Sequence, residues 1–307
     1  MFRPWRSFPF MVASGLVVGL ATGGFPAYSK QVQQLTLILA MMFSLTEISF
    51  RGMSAREEAR GFVASFVMTY VVLSGLVLVY AFLSADREVR NGWVLMAAVP
   101  PAVAVVPITS LLKGNVRRSL ISEALLYLLG LVMVPLVTLA FLGEAVAVND
   151  LVVQTLLLIG VPIALSRPLR RWKRIDETRA TAVSVSFFFL VVAIAGSTRD
   201  TLFGRPDLIA NLAPLAFLRT FGLGIALFGL TYALRTSREA RVQALTFASF
   251  KNLGLTVVLA FTFFGPVASL PSIVSLIFEI LWMSALPLLF RSEADVSGQS
   301  PAIRSSK

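Results

Sequence analysis

Five ionisable residues lie inside long apolar stretches of this sequence: Glu47, Glu123, Arg219, Lys251 and Glu279. A charge taken out of water is costly, so each needs a partner or a role. Arg219 and Glu279 have the opposite signs of an ion pair that staples two helices. Glu47 is close to the end of its stretch, where a carboxylate reaches the headgroup level. Glu123 and Lys251 each lie beside a stretch that cannot form a regular helix, and neither has an opposite charge in its own run. An ammonium can occupy a site that another protein gives to a metal cation, and desolvation can let a buried lysine exchange a proton. The expectation is an ion pair between Lys251 and Glu123, a few ångströms apart.

The irregular stretches are what would position that pair. Residues 93–122 read WVLMAAVPPAVAVVPITSLLKGNVRRSLIS, an apolar run broken by Pro100, Pro101 and Pro107, which ends at Lys113-Gly114-Asn115 and restarts near Ser119. Proline has no N–H and crowds the preceding turn, so helix stops there. In hydrocarbon the freed carbonyls must find other partners. The plain alternative is a kinked packing helix. The functional one is a discontinuous helix of the kind that forms substrate and ion sites in secondary transporters. A second interruption is expected in Val242 to Phe263, which carries Lys251, Asn252 and Gly254 mid-run. The candidate transport or coupling site is then Lys251, Asn252, Glu123, Ser119, Thr109, Pro101, Pro107 and Gly254. None is expected to be catalytic, and neither a metal nor a cofactor is expected.

Composition fixes the class. The 307 residues are 57% hydrophobic and only 14% charged, against about 25% charged in soluble domains. Mean hydropathy is +0.82. This is the profile of an all-α polytopic membrane protein. With no Cys and no His, disulfides, thiol chemistry and imidazole relays are excluded. The intramembrane acids are dispersed, which argues against an enzyme. The net charge of +11 comes from basic residues scattered through short loops. That pattern suits lipid headgroups and topology control rather than nucleic acid.

Ten spans are expected, at about 8–27, 32–50, 62–83, 93–111, 119–142, 151–166, 181–198, 208–234, 242–264 and 268–290, each near the roughly 20 residues needed to cross. The first follows Arg3 and Arg6 and could pass for a signal peptide, but more apolar runs follow at once. Alternating the loops puts twenty basic residues on one side and five on the other. This bias places both termini in the cytoplasm. The basic cluster from Arg167 to Arg179 splits the chain into a first five-helix repeat (1–166), a cytoplasmic linker (167–179) and a second five-helix repeat (180–290). A disordered cytoplasmic tail (291–307) is expected to follow. Five is odd, so the two halves would enter the membrane in opposite senses, as inverted repeats do. The breaks at Ala102–Pro107 and Phe250–Gly254 would then meet near the bilayer centre.

Several motifs carry a resemblance. Pro100-Pro101-Ala102-Val103, Leu111-Leu112-Lys113-Gly114-Asn115, Phe250-Lys251-Asn252-Leu253-Gly254-Leu255 and Met41-Met42-Phe43-Ser44-Leu45 resemble the bile acid:sodium symporter superfamily, over roughly residues 8–290. The resemblance implies ten spans in two inverted repeats, a panel domain (spans one, two, six and seven) and a core domain in which spans four and nine break and cross. It also implies inward transport of organic anions with sodium. The implied sodium ligands are where this chain departs. The family's serine–asparagine pair aligns with Val105 and Val106, a threonine with Glu123, a glutamate with Phe247 and a glutamine with Lys251. Ser119, Asn252 and Gly254-Leu255 are retained. The expectation is a secondary transporter of a small organic anion in the cell inner membrane. It would work by alternating access and be sodium-independent, either proton-coupled or facilitated. The alternatives are sodium coupling through backbone carbonyls, and a non-transporting membrane sensor or scaffold.

Overall fold

The structure, a computed structural model, describes residues 8–47, 55–143 and 146–296. Arg3, Arg6, Arg51 and the part of the expected tail from 297 onward lie outside the described residues. Those residues form twelve helices: α1 (Phe8–Thr22), α2 (Ser29–Leu45), α3 (55–83), α4 (Arg87–Ala98), α5 (Val105–Leu111), α6 (Val116–Leu142), α7 (Val148–Leu169), α8 (Ile175–Gly204), α9 (Pro206–Ala233), α10 (Arg238–Ser249), α11 (Leu253–Phe264) and α12 (Pro266–Val296). Six of them, α3, α6, α7, α8, α9 and α12, are long and apolar enough to cross a membrane. The chain is an all-α polytopic membrane protein.

The two interrupted runs each divide into a helix pair, α4/α5 and α10/α11. Local chemistry sets their ends. Asp86 accepts the N–H groups of Glu88 and Val89 at the start of α4, and Asn115 accepts that of Arg118 at the start of α6. Ser237 opens α10, and Asn252 opens α11 by accepting the Leu255 N–H. These short polar side chains take up donors that the first helical turn leaves free. Helices also run further than hydropathy indicates. α7 reaches Leu169 and α8 starts at Ile175, both inside the expected linker, and α12 continues to Val296 past the expected boundary at 290. Polar end turns, such as Asp176 and Glu177 at the start of α8, keep helical backbone while leaving the apolar layer.

Three helices contain π turns: Val67–Leu73 in α3, Leu156–Gly160 in α7 and Leu218–Gly222 in α9. Such turns are frequent at functional sites. Those in α3 and α9 deliver Tyr70 and Arg219 to the interior.

α1 and α2 pack along α8, and α2 also packs on α7. On the other side α4 packs with α3, α6, α11 and α12, and α9 packs with α10 and α12. The contact of α1 with α8 depends on glycine. A Cβ at Gly19 would lie 2.6 Å from the Val192 carbonyl oxygen and 2.8 Å from the Ala195 Cβ. Gly19→Val is expected to cost about 1–3 kcal/mol, the usual penalty for overpacking. Gly75→Val, where no atom lies within 4 Å of the added Cβ, should cost far less. Thermal unfolding in detergent compares the two, and equal losses would contradict the close contact.

Candidate functional site

The site is built where the two helix breaks meet. Pro101 cannot donate to Ala97, nor Pro100 to Met96, so α4 ends with free carbonyls. The last bond of that helix is Val99 N–H to Leu95 O at 3.2 Å. Beyond it the chain is extended and runs antiparallel to residues 250–252, with an isolated bridge between Pro101 and Lys251. Ala102 N–H donates to Phe250 O at 3.1 Å, and Asn252 N–H donates to Pro100 O at 3.0 Å. The two breaks therefore supply each other's missing backbone partners, as buried peptide groups require.

Lys251 is fully buried at this crossing. Its ammonium donates to Ser74 Oγ at 2.8 Å, Ala97 O at 3.1 Å and Val99 O at 2.8 Å. Three donors meet three acceptors, which satisfies the group. It also lies 4.6 Å from the centroid of the Tyr70 ring, a cation–π distance. The charge sits at the carbonyl end of α4, the end that favours a cation. Behind it, Arg219 pairs with Glu279 and also donates to Ser249 O at 3.1 Å. Glu279 accepts the Lys251 backbone N–H at 3.3 Å. The expected Arg219–Glu279 staple is formed, and it braces the second break.

The expected ion pair between Lys251 and Glu123 is not formed. Successive side chains of an extended segment point to opposite sides, so Lys251 turns toward α3 and α4 while Asn252 turns toward α6. There Asn252 Nδ2 donates to Tyr127 Oη at 3.0 Å, one helical turn beyond Glu123. Glu123 is buried, 4% exposed, and its carboxylate has no hydrogen-bond or ion-pair partner among the described residues. Thr109 Oγ1 donates to Ser119 Oγ at 3.3 Å, tying α5 to α6. A Cβ on Gly254 would lie 3.1 Å from Leu190 Cδ2, so this glycine lets α11 approach α8.

A cavity of about 500 Å³ opens beside the crossing, between α1, α2 and α8 on one side and α5 and α12 on the other. Its wall is mostly apolar and includes Val103 and Pro107 next to the break, with Ser44, Glu47, Asp176, Arg179, Ser184 and Ser284 as polar points. Arg179 donates to Thr46 Oγ1 at 3.0 Å and Asp176 Oδ1 at 2.6 Å, and lies 3.9 Å from Glu47. Glu47 is thus half-exposed at the cavity rather than only a headgroup contact. Sequence reasoning missed Ser74, Tyr70 and the two carbonyls. Serine is unremarkable in a membrane helix, and a carbonyl acceptor has no residue-type signal.

A family model described as the Sodium Bile acid symporter family matches residues 34–202, more than half of the chain. The chain belongs to the sodium bile acid symporter family. It is 25% identical over 193 residues to the sodium/bile acid cotransporter 7 of Danio rerio, covering 60% of this chain and 57% of that protein. The chain is therefore a divergent member of that family, and its match spans little more than half the length of that relative. The family match includes the first break and Glu123, and ends before the second break and Lys251. Val105, Val106 and Phe247, where the symporter resemblance calls for oxygen ligands, are buried apolar residues. No cluster of His, Cys, Asp and Glu able to hold a metal occurs among the described residues.

Proposed function

We propose that this symporter-family protein carries a small organic anion by alternating access without sodium, with the Lys251 ammonium in the place of the cation. One observation carries the reading. Ser74 Oγ and the carbonyls of Ala97 and Val99 form an oxygen cage of the type sodium takes, and Lys251 fills it. A sodium ion about 4 Å from that ammonium would meet about 4 kcal/mol of repulsion at an effective dielectric constant of about 20. The cage does not hold both.

In this reading α4/α5 and α10/α11 each count as one pass. The twelve helices become ten passes, five from α1 to α6 and five from α7 to α12, in inverted senses, so the halves divide between α6 and α7 and not at the 167–179 cluster, which six passes precede. α1, α2, α7 and α8 form the panel, and the other helices form the core. Both termini face the cytoplasm of a plasma or inner membrane. The cavity takes the anion with its apolar wall against the rest of the molecule, and Arg179 meets the charge by exchanging its contacts with Asp176 and Glu47 for it. Glu123, buried without a partner, is the residue available to carry a proton if transport is coupled. Lys251, Asn252, Pro101 and Gly254 hold the crossing, while Thr109, Ser119 and Pro107 position α5 beside the cavity.

The test is uptake into proteoliposomes of a labelled bile acid, chosen from the relative's name, and a panel of labelled small carboxylates. Proton gradient and voltage are held fixed, with and without a sodium gradient. Uptake of any of these at equal rates in sodium and in choline supports the reading. Strict dependence on sodium contradicts it.

A further inference from the structure

A second pocket lies away from the crossing, between the N-terminal turns of α3, α6 and α10, and has a volume of about 430 Å³. Its lining includes Arg60, Gly61, Ala64, Met68, Arg118 and Gln243. Neither Arg60 nor Arg118 has an acidic partner among the described residues. Two acids on neighbouring turns face other groups, with Glu58 Oε2 making no hydrogen bond of its own. Glu58 lies 3.7 Å from Arg117, and Glu239 accepts from Asn115 Nδ2 at 3.2 Å. The pocket therefore presents the guanidinium groups of Arg60 and Arg118 with no ion pair to either among the described residues.

It is also a built pocket. Gln243 Nε2 is fixed by Gly61 O at 2.9 Å and Ser65 Oγ at 2.8 Å. The Arg118 stem lies directly on Gly61, where an added Cβ would come within 2.6 Å of its Cγ and 2.7 Å of its Cδ. Guanidinium groups bind phosphate oxygens through paired, charge-assisted hydrogen bonds. Ala64, Met68 and Ala244 give the pocket an apolar side, which a free phosphate would not use. The helix ends around it carry the basic residues that favour anionic headgroups.

We propose that this pocket binds the headgroup phosphate of an anionic phospholipid, with its glycerol backbone and first acyl carbons against the apolar side. The assignment is independent of the transport reading. A lipid held there would brace α10, the half-helix that leads to Lys251, against α3 and α6.

Native mass spectrometry of the full chain tests it, with phosphatidylglycerol, phosphatidylethanolamine and inorganic phosphate as probes. Phosphatidylglycerol is expected to be retained preferentially as a single copy. Arg118→Gln should weaken it about tenfold or more, the scale of one lost charge-assisted contact. Gly61→Ala keeps both charges and favours helix, so the fold should hold while the displaced Arg118 loses the lipid by a similar factor. Thermal unfolding without lipid confirms that both variants are folded. Wild-type retention in Gly61→Ala would show general surface attraction and overturn the proposal. So would equal retention of phosphatidylethanolamine, or displacement of the lipid by millimolar phosphate.

Discussion

Lys251→Ala is expected to lower stability by about 3–5 kcal/mol, from the cavity left by a large buried side chain and from the lost ammonium hydrogen bonds. Removing the side chain leaves Val99 O without its donor and takes one donor each from Ser74 Oγ and Ala97 O, which stay bonded to each other at 2.6 Å. It also leaves a void beside Tyr70. Lys251→Met fills most of the volume but supplies no donor to Val99 O, so it should remain destabilised by about 1–3 kcal/mol. Lys251→Gln restores an amide donor and should be the mildest of the three. Thermal unfolding in one detergent ranks them. A methionine variant as stable as wild type would mean that the ammonium bonds contribute nothing net, and the crossing would then be held by its backbone bridge alone.

The second large effect is expected at Glu279. It is the acid that faces two buried cations, pairing with Arg219 and accepting the Lys251 backbone N–H. Glu279→Met leaves Arg219 and Lys251 uncompensated in a low-dielectric interior. The expected loss is about 3–5 kcal/mol. Arg219→Met leaves one buried carboxylate near one remaining cation, a smaller imbalance, and should cost less. The double substitution removes the pair together and should cost less than Glu279→Met alone, since a buried pair is often replaceable by apolar residues of similar volume. A double-mutant cycle measures the coupling. Additive losses would show that the two side chains do not interact.

Much of this arrangement is legible in the sequence. Prolines at 100, 101 and 107 and the Lys251-Asn252-Gly254 run marked the breaks, because missing N–H groups and polar residues in apolar runs are visible as residue types. Opposite charges at 219 and 279 marked the staple for the same reason. What Lys251 bonds to was not legible. Two of its three acceptors are main-chain carbonyls, and the side on which it emerges depends on the extended backbone at 250–252. That backbone turns Asn252, not Lys251, toward the helix of Glu123, so the expected ion pair gave way to a cage. Arg179 was hidden differently. It counts as one more basic residue near a loop until α8 is seen to begin at Ile175 and carry it to the cavity wall.

Sodium binding tests the central claim most directly and needs no substrate. Unfolding temperature of the purified protein is measured as sodium replaces choline at constant ionic strength, alongside equilibrium binding of radioactive sodium. A ligand that binds only the folded state at about 100 times its dissociation constant adds about 2.7 kcal/mol, a shift easily read as degrees. With Lys251 in the cage, the unfolding temperature should not change and no saturable sodium binding should appear. A saturable site with a rise of several degrees specific to sodium would contradict the lysine's occupation of that place.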